Sequence, residues 1–229
     1  MLFRSLVFDD LGDLDAVADA LVQGFTFNTG QVCVAGTRLL VHRPLVDRLQ
    51  TLMLERMAVL RAGDPRDLGV TQGPLANAAQ HGRVRRMLQD AQSRGVRLLQ
   101  PGPKLSGLHQ TPTLAVDLSA ADPLMQEEIF GPVAGLVAFD TVDEAIALAN
   151  NTRYGLMATA WTSDLRLAHS LPRWLKAGSL QVNTVPRPAP SYVLHMGGEP
   201  VGQSGFGVEG GSAGLVAMTR LRSIELHLH

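Results

Sequence analysis

Residues 13–42 read DLDAVADALVQGFTFNTGQVCVAGTRLLVH, and the architecture follows from this stretch. Leu14, Val17, Ala18, Leu21, Val22 and Phe25 recur at helical spacing, with Asp13 placed to cap the first turn. Thr37 to His42 then reads as a buried strand. Between helix and strand, a turn interrupted by Gly30 carries the chain's one cysteine, Cys33.

The alternation continues outward. Pro44 starts a helix carrying Val46, Leu49, Leu52, Met53 and Met57, at a position where its missing donor costs nothing. Asn77 to Gly95 is a further helix leading into the strand Val96 to Leu99. Gly131 and Pro132 introduce the strand Val133 to Phe139, and Thr141 with Glu144 forms a capping box for a helix ending near Asn150. Leu156 to Trp161 reads as a strand, Leu165 to Lys176 as a helix that Pro172 should kink, and Leu180 to Asn183 as a strand. Ile224 to Leu228 alternates with period two, as a half-buried strand does. The expected fold is α/β: one three-layer domain over residues 1–229, a mainly parallel sheet flanked by helices. Pro101 to Gly107 and Thr184 to Gly211 are loops, the second long enough to suggest a functional role.

The net charge is -1 with both signs interspersed, so no basic stripe points to nucleic acid or an anionic membrane. No apolar run approaches the roughly 20 residues of a membrane span. The first ten residues lack the pattern of a secretory leader, and the expected compartment is the cytoplasm. A single cysteine excludes an internal disulfide. The plain reading of such a residue is a small buried hydrophobe. On a connecting turn, however, Cys33 can be aimed at a cleft, and backbone N–H groups there would favour the thiolate. His227 and His229 lack a third ligand, so no metal site is expected. Glu127 and Glu128, adjacent on an expected strand, should face opposite ways and share no site.

The cysteine segment resembles the cysteine motif of the aldehyde dehydrogenase superfamily at Phe27, Asn28, Gly30, Gln31, Cys33 and Ala35. Two further motifs follow in the order found in that family. Residues 127–133 read E-E-I-F-G-P-V, and residues 149–156 fit A-N-x-T-x-Y-G-L. Smaller echoes include Gly63-Asp64-Pro65, Gly197-Gly198 and Ser204-Gly205-Phe206-Gly207, and the similarity runs from about Ser5 to the end.

The resemblance implies NAD(P)-dependent oxidation of a small-molecule aldehyde to an acid. The Cys33 thiolate would attack the carbonyl, hydride would pass to NAD or NADP, and water would hydrolyse the resulting thioester. Release to coenzyme A is the open alternative. The Cys33 backbone N–H would be one oxyanion-hole donor. Glu128 takes the position that holds the nicotinamide ribose, with Phe130 beside the same ring. Asn183 falls near the substrate pocket, or serves as an amide tying down a loop. Met196, in His195-Met196-Gly197-Gly198, stands where the family places a pocket aromatic. No Glu-Leu-Gly-Gly occurs, and no glycine-rich turn between strand and helix offers a dinucleotide fold. The resemblance therefore implies that this is the catalytic half, incomplete by itself, with the nucleotide-binding domain outside it. The rival is a non-catalytic truncated subunit that keeps the fold and binds a partner chain. Family members are dimers or tetramers whose last strand joins a shared sheet. The expected partners are accordingly further copies, or a chain supplying the nucleotide-binding domain.

Overall fold

The computed structural model describes residues 3–184 and 198–227. Arg38–His42 is a strand buried on both sides, and its period of two splits its side chains between two cores. Leu39 and Val41 enter one cluster and Leu40 another. In chain order the strands are Arg4–Val7 (β1), Arg38–His42 (β2), Arg97–Leu99 (β3), Thr113–Val116 (β4), Val133–Phe139 (β5), Tyr154–Gly155 (β6), Met157–Trp161 (β7), Ser179–Val182 (β8) and Val201–Gly202 (β9). Among the described residues, seven form one sheet in the order β3-β4-β5-β2-β1-β7-β8. Its pairings are parallel except β3 with β4, and β6 pairs antiparallel with β9 apart from the main sheet.

The helices are Leu14–Thr26 (α1), Val46–Ala58 (α2), Ala78–Ser93 (α3), Pro123–Gln126 (α4), Val142–Asn150 (α5), Leu165–Trp174 (α6) and Gly211–Ala217 (α7). Helices α1 and α2 cover one face of the sheet, where Leu21, Phe25, Leu49 and Met53 pack on Val7, Val41 and Leu136. Helices α5 and α6 cover the other, where Ala145 and Leu171 meet Leu6, Leu40 and Phe139. Helix α3 packs through Val84 and Leu88 on Ala115 and Val133. Each fully buried large apolar side chain stabilises by about 1.5–3 kcal/mol, so these layers, not local propensity, hold the sheet.

Among the described residues, side chains cap five of the helices, with Asp122 and Asp164 at the starts of α4 and α6. The carboxylate of Asp13 accepts from Ala16 N, Asn77 accepts from Gln80 N, and Thr141 accepts from Glu144 N. The Glu144 carboxylate reaches back to Asp140 N at 2.7 Å, one residue before the cap.

The middle of the sheet holds two buried arginines side by side, Arg4 paired in register with Arg38. Their partners are carbonyls. Arg4 donates to Tyr154 O and Lys176 O, and Arg38 to Leu148 O, Ala149 O and Asn151 O at the end of α5. Burial lowers both guanidinium pKa values to about 10, and Arg4 pushes Arg38 in the same direction. Both remain cations at any physiological pH.

Several expectations need correction. The last described residues form no strand: Ile224 and Leu226 are exposed, residues 224–227 take part in no strand pairing among the described residues, and Leu228 lies outside these. Alternation there marks two faces without supplying a partner strand. Glu127 and Glu128 sit on a loop between α4 and β5, not on a strand. Pro172 falls in the last turn of α6, which ends two residues later at Trp174. Among the described residues, no helix is long and apolar enough to cross a membrane, and no group of three His, Cys, Asp or Glu residues could hold a metal.

Candidate active site

Helix α1 ends at Thr26, and residues 27–30 make a distorted 3₁₀ turn with Asn28 and Thr29 both at positive φ. Local hydrogen bonds hold this geometry. Asn28 Nδ2 donates to Gln31 O at 2.9 Å, and Thr29 Oγ1 donates to Gly73 O at 3.1 Å. Gln31 Oε1 accepts from Ala76 N at 2.7 Å. Asn28 and Gln31 thus shape the turn, and their polar atoms are spent on backbone. Gly30, at φ +69°, lies against Gly131, and a Cβ on it would overlap the Gly131 carbonyl. The first and second motifs therefore meet backbone to backbone.

Cys33 follows on the next turn, half-buried. With Val32 it packs on Phe3, Val34, Leu156 and Met157, and it lines a cavity of about 310 Å³. Leu156, Ser204, Phe206 and Glu209 share that lining. The far wall is brought in by the β6–β9 pairing, and Gly155 N donates to Ser204 Oγ at 2.9 Å. The third motif supplies this anchor through Tyr154-Gly155. Its Asn150 ties the chain after α6 in place, donating to Trp174 O and accepting from Lys176 N.

The second motif is clamped by α3. Gln80 Nε2 donates to Ile129 O at 2.9 Å and Phe130 O at 2.7 Å, while Arg83 donates to Glu128 O and Ile129 O. Three successive carbonyls are held while Phe130 stays at φ 57° with its ring partly exposed. A strained residue persists only where its surroundings over-determine it, and these bonds do so. Glu127 turns away to Arg153, which reaches both carboxylate oxygens at 2.7 Å. Glu128 remains on the side whose charge reaches Cys33.

The thiol pKa is raised. Burial is the largest cause and disfavours the thiolate; the carboxylates of Glu209 and Glu128 add to it, and the Cys33 backbone N–H works against it. Backbone donors thus act in the expected direction without prevailing. Glu209 was not foreseen from the sequence. It follows the Ser204-Gly205-Phe206-Gly207 echo closely enough to have been singled out, but the stretch reads as loop.

Asn183 is placed otherwise. Its side chain accepts from Thr162 N and donates to Thr162 O, both at 2.9 Å, which ties the end of β8 to β7, and it is not among the residues described as lining the cavity at Cys33. Met196 lies outside the described residues.

A half-buried thiol on a turn, open to a cavity and within reach of two carboxylates, defines a thiol site built on an α/β sheet. The profile of the aldehyde dehydrogenase family matches residues 4–224, and the chain belongs to that family. It is similar to the structure of an indole-3-acetaldehyde dehydrogenase in complex with NAD+, at 34% identity and a TM-score of 0.90 over 98% of this chain and 46% of that one. The aldehyde dehydrogenase KauB from Pseudomonas aeruginosa is 32% identical with a TM-score of 0.88, over 96% of this chain and 44% of that one. A cysteine-to-alanine mutant of aldehyde dehydrogenase C from Pseudomonas syringae, in complex with NAD+ and octanal, is 31% identical with a TM-score of 0.84 over 93% and 44%. The chain spans less than half the length of these structures.

Two outcomes test this geometry. Gly30→Ala should cost at least about 2 kcal/mol in urea unfolding, because strained φ and backbone overlap act together. An unchanged midpoint would show that the two loops are not in contact. Glu209→Gln removes a negative charge from beside the thiol, so the pH midpoint of Cys33 alkylation by iodoacetamide should fall. A midpoint that stays or rises would place Glu209 away from Cys33.

Proposed function

We propose that this chain is the cysteine-bearing catalytic part of an NAD(P)-dependent aldehyde dehydrogenase, with Cys33 as nucleophile. The observation that carries the reading is the cavity at Cys33: a thiol at the wall of a space large enough for a small aldehyde, on a turn held by a hydrogen bond within itself and by two to residues 73–76. The Cys33 sulfur attacks the carbonyl carbon, and its own backbone N–H is one donor to the developing oxyanion. Glu209 raises the thiol pKa, so its carboxylate does not stabilise the thiolate. Its service is to accept a proton from water entering the cavity to hydrolyse the thioester.

The residues present fit one end of a nicotinamide dinucleotide. Glu128 offers a carboxylate to accept from ribose hydroxyls, and Phe130 offers a partly exposed ring on the same clamped loop. When bound, the nicotinamide supplies the hydride acceptor. NAD+ in two of the similar structures supports the same class of cofactor here. The dinucleotide-binding domain would be supplied from outside residues 1–229. Asn183 serves the pocket at most indirectly, through the β7–β8 end that it ties down.

The same reading makes the protein an oligomer. Leu215, Val216, Met218, Leu221, Ile224 and Leu226 are all exposed, a run of apolar surface suited to burial against another chain. Light scattering at tens of micromolar should show more than a monomer, and a stable monomer would remove this part of the proposal.

The nucleophile is tested without any nicotinamide. The 229-residue chain should hydrolyse p-nitrophenyl acetate through an acyl-Cys33 adduct visible by mass spectrometry. Cys33→Ala should reduce the rate to background. Equal hydrolysis by wild type and Cys33→Ala, with no adduct, would favour the non-catalytic subunit instead.

A further inference from the structure

A second cavity, of about 380 Å³, opens between α3 and residues 100–111 and shares no lining residue with the cavity at Cys33. One wall is a stripe of α3, where His81, Arg85 and Gln89 follow one another at four-residue spacing and so lie on one face, with Leu88 beside them. Lys104 and His109 stand in the facing loop. No aspartate or glutamate lines this space, although the whole chain has 21 acidic residues against 20 lysines and arginines. Some exposed arginines find carboxylates, as Arg43 does with Asp140 and Arg97 with Asp117, while others, such as Arg48 and Arg86, do not among the described residues. Arg85 and Lys104 have no ion-pair or hydrogen-bond partner among the described residues. The loop wall is fixed in place. Thr111 Oγ1 donates to Pro103 O at 2.9 Å, and the His109 ring lies 3.1 Å from Gly63 O and 3.3 Å from Ser106 O.

We propose that this cavity is a binding site for a small, multiply charged oxyanion of phosphate or polycarboxylate type, held between Arg85 and Lys104. Unpaired cations on two walls of one concave space can each donate to a different oxygen of such a ligand, and a monoanion, with half the charge, gains less from the pair. The volume falls in the range of small-molecule sites, about 300–1,000 Å³. Both cations are exposed, so binding depends on salt and is strongest at low ionic strength. The site is independent of the reading of Cys33.

The experiment is calorimetric titration of the protein with pyrophosphate, citrate and acetate at one fixed ionic strength. Pyrophosphate or citrate should bind saturably with a Kd of about 1 mM or tighter, acetate should not, and the Arg85→Gln/Lys104→Gln double variant should bind at least about tenfold more weakly. The tighter of the two polyanions assigns phosphate or carboxylate chemistry. Both substituted side chains are exposed, and an unchanged thermal midpoint confirms that the variant is folded. No saturable binding up to about 10 mM overturns the proposal, as does equal affinity in the double variant, which would put the anion elsewhere.

Discussion

Gly30 and Gly131 touch backbone to backbone, and the arrangement of the site depends on that contact. Neither loop has room for a Cβ at its contact point: one on Gly30 would overlap Gly131, and one on Gly131 would lie 2.8 Å from Val84 on α3. A column therefore runs from α3 through the Glu128-Ile129-Phe130 loop to the cysteine turn, with no flexible side chain between the two loops. Gln80 and Arg83 fix the loop to the helix, and Gln31 fixes the cysteine turn to Ala76, just ahead of the helix cap at Asn77. The loop bearing Glu128 and the turn bearing Cys33 are set relative to each other by contacts that make no use of Cys33 itself.

The electrostatics at the thiol run against the simplest account of a reactive cysteine. Burial and two carboxylates favour the protonated form, and the Cys33 backbone N–H, the largest opposing influence, does not outweigh them. The wall carrying Glu209 arrives from a distant part of the chain, through two residue pairs between β6 and β9, the Gln203 N–H donating to Arg153 O, and the Ser204 hydroxyl. Among the described residues, few bonds anchor that wall, in contrast to the turn it faces. Elements held by few contacts open locally at low cost, so the two sides of the cavity differ in stiffness as well as in charge.

Much of the fold was legible where periodicity and caps agreed. Helices α1, α3 and α5 start where Asp13, Asn77 and Thr141 announce them, and β2 and β5 lie within a residue of their apolar runs. Strand β1 was missed because Arg4 and Ser5 break its apolar pattern, and both are fully buried. Carbonyls from distant segments accept from both terminal nitrogens of Arg4, which a local reading cannot see. Strand β4 is four residues and α4 one turn, too short for periodicity to register. Cys33, Glu128 and Phe130 stood out through motifs. Glu209 did not, because only the β6–β9 pairing brings it to the thiol.

Strand β1 is among the first elements of the sequence, yet it lies between β2 and β7, and its outer neighbour begins only at Met157. Arg4 likewise waits for Tyr154 and Lys176. While the chain emerges from a ribosome, β1 and β2 can pair early, but one edge of β1 and a guanidinium stay uncovered until Tyr154, β7 and Lys176 have been made. Long-range parallel pairing of this kind is slow to form and leaves open edges in the meantime. The sheet therefore closes from its centre and late. Assembly of the sheet is exposed to misassociation while the intervening residues are made, and a chaperone that shields β1 during that interval would act on the open edge.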